Sequence, residues 1–323
     1  MHSSKTKWTS RCAVALAFIT STSLLIANTP SPAPFKAGDR VCYIGDSITH
    51  GGGYHAQILL FYATRFPQIR FESWNGGVSG DSAAGAVSRY DWDIAPRKPT
   101  VAAIMFGMND VQRSSYDRNK TGSEIEAAHQ YNLKMHVEYM TKLADRLSRD
   151  GASLIFLTPS IYDQTGTQAT HNNYGVNDAL KICGDEARKL ATKYKGSVVD
   201  FHDLMTDLNA KLQATDPNDT LVGPDRIHPG APGHLVMAYA FLKAQGMKPT
   251  VSSVVIEVGK DIPATQDNCQ VSNLSAKPDA IRFDLLENAL PFPVDDKADK
   301  ALHLVPFTQD LNQETVAIRG LTE

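Results

Sequence analysis

The stretch Val41-Cys42-Tyr43-Ile44-Gly45-Asp46-Ser47-Ile48-Thr49 decides how the chain is read. Four apolar residues run straight into a Gly-Asp-Ser turn. An apolar run of this length reads as a strand buried on both faces, and the glycine as the tight turn that ends it. Ser47 then stands at the carboxyl edge of a sheet, where open α/β folds carry their chemistry. Residues 56–66 continue with apolar positions at helical spacing and no breaker before Pro67. A helix is therefore expected to begin close to the serine.

Further along, the same alternation recurs. Residues 69–74, 101–106, 153–157 and 197–201 read as strands. Residues 124–150, 174–194, 204–212 and 233–245 read as helices, the first of them stopping at Gly151, a natural end residue. Apolar strands alternating with amphipathic helices predict a parallel sheet covered on both faces, a three-layer α/β/α sandwich. From residue 249 the composition changes. Short β-like runs at 251–258, 280–286, 302–307 and 315–321 are separated by prolines and predict a β-rich appendage. The expected organisation is a leader at 1–29, an α/β domain at 36–248 and the appendage at 249–323. No terminating element follows the last strand-like run, so a longer natural chain is expected.

A serine is a poor nucleophile unless a histidine takes its proton and a carboxylate orients that histidine. Asp225-Arg226-Ile227-His228 offers both groups from one short segment. Two further pieces lie between. Asn75-Gly76-Gly77-Val78-Ser79-Gly80-Asp81 is rich in glycine, and Gly107-Met108-Asn109-Asp110 follows the apolar run 101–106. Attack on an ester carbonyl places negative charge on its oxygen, and fixed donors must meet it. The Gly80 N–H, the Asn109 amide and the Ser47 N–H are candidates. Each piece alone is ordinary turn chemistry, and Asp225 alone could simply cap the segment after it. The four together, in this order, point to one site.

In that order they resemble the SGNH (GDSL-type) hydrolases, over roughly residues 40–246. Ser47 matches the family's serine, Gly80 its glycine, Asn109 its asparagine, and Asp225 with His228 the final Asp-x-x-His. The resemblance implies a flavodoxin-like α/β/α fold and ester hydrolysis with neither metal nor cofactor. It also implies Ser47, Asp225 and His228 as the catalytic group, with Ser47, Gly80 and Asn109 as the oxyanion hole. Secreted relatives of this kind often remove acetyl groups from carbohydrates, so a small-molecule or polysaccharide ester is the expected substrate. No apolar lid is visible, which favours short acyl groups over the long chains of a lipase or thioesterase. A non-catalytic carbohydrate-binding protein on the same scaffold would be expected to lack one of these five positions.

Other patterns are excluded or set aside. Thr49 two residues after Ser47 breaks the Gly-x-Ser-x-Gly elbow of the α/β-hydrolases. Gly51-Gly52-Gly53 has no phosphate-loop sequel. A zinc site built from Asp225, His228 and His234 finds no His-Glu-x-x-His or cysteine pair to support it. His50 and His55 read as polar loop residues, His50 being the better candidate for lining a cleft. Arg89 reads as a structural ion-pair partner. The polar run 160–173 could be part of the cleft mouth or a plain solvated loop.

The chain is 42% hydrophobic and 21% charged over 323 residues, which is enough for a large core. Its net charge of −3, with no basic run, leaves nucleic acid without an electrostatic footprint. Lys5, Lys7 and Arg11 precede the apolar stretch 13–26, then small and Pro-rich residues. This is the order of a secretory signal, and the serines and threonines at 20–23 argue against a membrane span. A secreted or periplasmic protein without stable membrane insertion is expected. Cys42, Cys183 and Cys269 follow the leader; Cys42 reads as a buried apolar residue, and pairing of Cys183 with Cys269 is left open.

Overall fold

A five-stranded parallel sheet runs through the computed structural model, which describes residues 30–321 apart from Pro278. The leader expected at 1–29 lies outside the described residues. The strands are β1 (Arg40–Gly45), β2 (Glu72–Gly77), β3 (Val101–Met105), β4 (Ser153–Leu157) and β5 (Ser197–Val199). Their order is β2-β1-β3-β4-β5. The order reverses between β1 and β3, and the carboxyl end of such a switch point opens a crevice. Gly45, the last residue of β1, is paired with Gly77 on one side and Met105 on the other. The loops that leave these three strand ends therefore start side by side.

Among the described residues, the α-helices of the α/β part are α1 (Ser47–His50), α2 (Gly53–Arg65), α3 (Ala83–Arg89), α4 (Ser123–Arg149), α5 (Val176–Tyr194), α6 (His202–Thr215) and α7 (Ala231–Ala244). Side chains alternate across a strand. Val41 and Tyr43 accordingly join Ile58, Phe61, Met205 and Phe241 in one buried layer. Cys42 and Ile44 join Ala86, Met140, Leu143 and Leu147 in the other. The three-layer α/β/α architecture is thus the one expected. No helix among the described residues is long and apolar enough to cross a membrane.

Two local expectations are corrected. β2 starts at Glu72 and runs on through Asn75, Gly76 and Gly77. Those glycines are strand residues, because α1 crosses the strand end so closely that a Cβ on Gly77 would sit 2.3 Å from the His50 nitrogen. Residues 302–307 form no strand. A 3₁₀ helix (Asp296–His303) and α8 (Phe307–Leu311) occupy that region. The Asp295 carboxylate caps the first by accepting from Lys297 N–H at 2.9 Å. Ala298, Ala301, Val305, Phe307 and Leu311 face the main core, a helical spacing that β-like composition had masked.

The remaining C-terminal chain is β-rich, as expected. β6 (Thr250–Glu257) lies between parallel β10 (Gln313–Arg319) and antiparallel β7 (Thr265–Asp267), and β8 (Cys269–Ala276) pairs with β9 (Ile281–Glu287). Cys42, Cys183 and Cys269 are all buried free thiols, so the Cys183–Cys269 pairing is not made.

Arg65 at the end of α2 joins the two parts. It is buried, and its guanidinium donates to the carbonyls of Lys248 (3.1 Å), Thr250 (3.0 Å) and Leu311 (2.7 Å). Arg65→Ala removes three buried hydrogen bonds at once. It is predicted to lower the free energy of unfolding by about 3 kcal/mol, measured by urea denaturation.

Candidate active site

Ser47 is the first residue of α1, directly after the turn that ends β1. Its hydroxyl lies 2.7 Å from Nε2 of His228. Nδ1 of the same ring lies 2.5 Å from Oδ2 of Asp225. An ionised carboxylate only accepts, so the ring proton belongs on Nδ1 and Nε2 is left to accept from the serine hydroxyl. The other oxygen of Asp225 accepts from the N–H groups of Ile227 (3.0 Å) and His228 (3.1 Å). Asp225 therefore both caps its own turn and orients the imidazole. Partial burial pushes its carboxyl up, but the His228 ring and the two backbone donors outweigh that and hold it below the usual range. The His228 and Asp225 side chains are 47% and 46% exposed, so the site is an open surface crevice.

Gly80 and Asn109 come from the neighbouring strand ends. Val78 N–H donates to the Gly45 carbonyl at 3.0 Å, which ties the Gly80 loop to the end of β1. Gly80 has φ +79°, and a Cβ there would meet only open space, so backbone conformation alone selects glycine. Asn109 follows β3. One amide hydrogen goes to the Asp81 carbonyl at 2.7 Å, and its Oδ1 accepts from Arg113 at 2.7 Å. Arginine can only donate, so this contact fixes which end of the amide is oxygen and leaves the second amide hydrogen available. Asp110 accepts from Ala83 N–H and Gly107 N–H, both at 3.0 Å, and so fastens the Asn109 turn to the start of α3. Arg89 bonds Asp81 (2.8 Å), Asp93 (2.5 Å) and the Gly76 carbonyl (2.7 Å), the structural role expected of it.

Two residues outside the expected site, Arg226 and Asp163, organise the histidine side. Arg226 has φ +69°, a left-handed conformation that is costly for a residue with a side chain. Its buried guanidinium is held by the carbonyls of Asp163, Gly166, Gln168 and Thr170 and by the Gln168 side chain. In return, Asp163 N–H donates to the Arg226 carbonyl at 2.9 Å. The Asp163 carboxylate is buried, yet hydrogen bonds from Gln213, Gly166 and Gln168 outweigh the burial and keep it below its usual pKa. The run 160–173 is thus a fixed wall with a buried start rather than a plain solvated loop. An Asp-x-Thr-Gly turn at 163–166 was the one available clue.

The other histidines divide. His50 stays at the edge, with Nδ1 2.8 Å from the Ser79 hydroxyl. His55 is a core residue, stacked on Tyr43 at 4.8 Å. His234 packs so tightly on Gly53 that a Cβ there would strike its ring. Burial, then the nearby His55 and His228, push its pKa down to about 4. Among the described residues no group of three or more His, Cys, Asp or Glu is placed to hold a metal ion.

The chain is similar to known proteins in sequence and in fold. Residues 43–236 match the GDSL-like lipase/acylhydrolase family. An acetylxylan esterase of Geobacillus stearothermophilus is 26% identical over 230 residues, which is 66% of this chain and 96% of that protein. Among solved structures, a gut microbial diltiazem-metabolizing enzyme superposes with a TM-score of 0.82 at 32% identity, covering 90% of this chain and 68% of its own. A crystal structure of the acetylxylan esterase from Geobacillus stearothermophilus shares the fold with a TM-score of 0.53 at 24% identity, over 66% of this chain and 96% of its own.

Asp46, next to the serine, is buried, and its carboxylate accepts from Ile48 N–H at 3.0 Å. Burial is the larger effect and raises its pKa from 3.8 to about 6. The native state then holds this proton more tightly than the unfolded chain, so stability falls as pH rises from about 4 to 6 and is level above. Asp46→Asn removes the titration. Its stability should equal the parent's near pH 4 and exceed it above pH 6 by up to about 3 kcal/mol, read from paired denaturation curves.

Proposed function

The chain belongs to the GDSL-like lipase/acylhydrolase family and is a carboxylic ester hydrolase, and we propose that it is a secreted serine esterase removing acetyl groups from carbohydrates. The observation that carries the mechanism is the hydrogen-bonded line Ser47–His228–Asp225. As Ser47 Oγ attacks the ester carbonyl, Nε2 of His228 takes the hydroxyl proton. The oxyanion faces the N–H groups of Ser47 and Gly80 and the free amide hydrogen of Asn109. His228 then gives its proton to the departing alcohol, leaving an acyl-serine. Water enters, loses a proton to the same nitrogen, and releases the acid. Asp225 keeps the imidazole in the tautomer this requires and balances its transient charge.

Support for the acetyl ester of a sugar comes from the likeness to an acetylxylan esterase and from the exposure of the His228 and Asp225 side chains, which leaves the site open. Secretion rests on the basic, apolar and Pro-rich order of the first 34 residues.

Ser47→Ala should fold as the parent does and lose hydrolysis of p-nitrophenyl acetate and labelling by a fluorophosphonate; retained turnover would refute the assignment. Asn109→Ala should lower kcat by about 10²–10³-fold, the usual cost of one oxyanion donor. Across p-nitrophenyl esters, kcat/KM should fall from acetyl to butyryl to octanoyl, whereas a preference for octanoyl would make the enzyme a lipase.

A further inference from the structure

Asp110 follows Asn109 in the loop after β3 and anchors its turn. Its side chain is buried, and both oxygens are engaged. Oδ1 accepts from Ala83 N–H and Oδ2 from Gly107 N–H, so the end of β3 and the start of α3 are joined across the asparagine. A carboxylate removed from water calls for an opposite charge. The demand is greater here because Asp46 lies close enough for the two carboxyls to repel each other. Among the described residues no lysine or arginine pairs with Asp110. Its ion-pair partner there is His136 of α4, whose Nδ1 lies 3.2 Å from Oδ1.

His136 has no part in the chemistry of the ester, and its place on the helix is a core place. It shares the buried face of α4 with Met140, Leu143 and Leu147, at helical spacing. An apolar side chain would be the less costly occupant of that face. Among the described residues Nδ1 makes no aligned hydrogen bond, so its contact with Asp110 is one of charge. Burial disfavours the charged ring, but Cys183 and Asp110 outweigh it and hold its pKa above the ordinary value. A charge acts through space without alignment, and it acts more strongly where water is excluded. Two cations thus serve one turn. Arg113 holds the Met108 carbonyl and the Asn109 amide oxygen, and His136 holds the carboxylate that ties the turn down.

We propose that His136 is a positioning residue for the oxyanion hole: by pairing with Asp110 it fixes the turn that aims the Asn109 amide at the developing oxyanion. It touches no substrate. The proposal rests on the assignment of Asn109 as an oxyanion donor, and it extends the machinery to α4, a helix that supplies none of the reacting groups.

The test is a double-mutant cycle on p-nitrophenyl acetate, with the parent, His136→Phe, Asn109→Ala and the double variant. In the parent background His136→Phe should lower kcat about tenfold, a part of what loss of the whole donor costs, and change KM less than about twofold. In the Asn109→Ala background the same substitution should change kcat less than about twofold, since no amide is left to misplace. Equal losses in both backgrounds would make His136 a merely structural residue and overturn the proposal. An unchanged kcat for His136→Phe in the parent background does the same, and both results leave the esterase reading standing. Parental kcat in Asn109→Ala would remove the oxyanion assignment and this proposal with it, and a parent inert on the ester would remove the esterase reading as well. A second measurement needs no variant. Proton–nitrogen correlation spectra of the histidine-labelled parent should show both ring nitrogens of His136 protonated at about pH 7. A neutral ring overturns the proposal, whether or not His136→Phe folds.

Discussion

A buried guanidinium, that of Arg226, is the joint on which the site depends. It is bonded to the carbonyls of four residues of another loop and has no carboxylate as its direct partner. Removing such a group from water is expensive unless every donor is used, and here the acceptors are supplied by backbone that must hold one shape. The turn bearing Asp225 and His228 and the wall at residues 160–173 are therefore fixed by a single element. The left-handed backbone at Arg226 is tolerated because these bonds over-determine it. The same conformation lets Asp225 reach both the N–H groups of its own turn and the imidazole.

The serine side is built by a different force. β1, β2 and β3 end together, and α1 lies so close to the ends of β1 and β2 that side chains are excluded at Gly45 and Gly77. Burial there raises the pKa of Asp46, so stability is given up beside the nucleophile when that carboxyl ionises. Such local destabilisation is a common feature of functional sites.

Much of this was legible in the chain. The apolar strands at 41–44, 101–106 and 153–157 announce themselves because a strand buried on both faces tolerates little else. Ser47, Asp225 and His228 stand out because their residue types and turn context are unusual in combination. Arg113, Arg226 and Asp163 do not, since their roles depend on carbonyls and amides brought close only by the fold. The glycines at 76–77 read as loop because composition records flexibility and not the close crossing of α1. Residues 302–307 read as strand because a short, mostly apolar run fits either period, and packing against the main core decides between them.

The contact of α8 with α7 has a consequence for how the protein can be divided. α7 begins three residues after His228, and its outer flank is covered by Ala301 and Phe307, while Asp310 bonds Tyr239 (2.7 Å) and Lys243 (3.0 Å). Cutting the chain before β6 would strip that cover from Tyr239, whose ring packs on Phe307, and from Phe61, whose ring packs on Phe292. The tail is thus a splint on the helix behind the imidazole, and a minimal version trimmed to the α/β sandwich would be sticky and short-lived rather than a smaller enzyme.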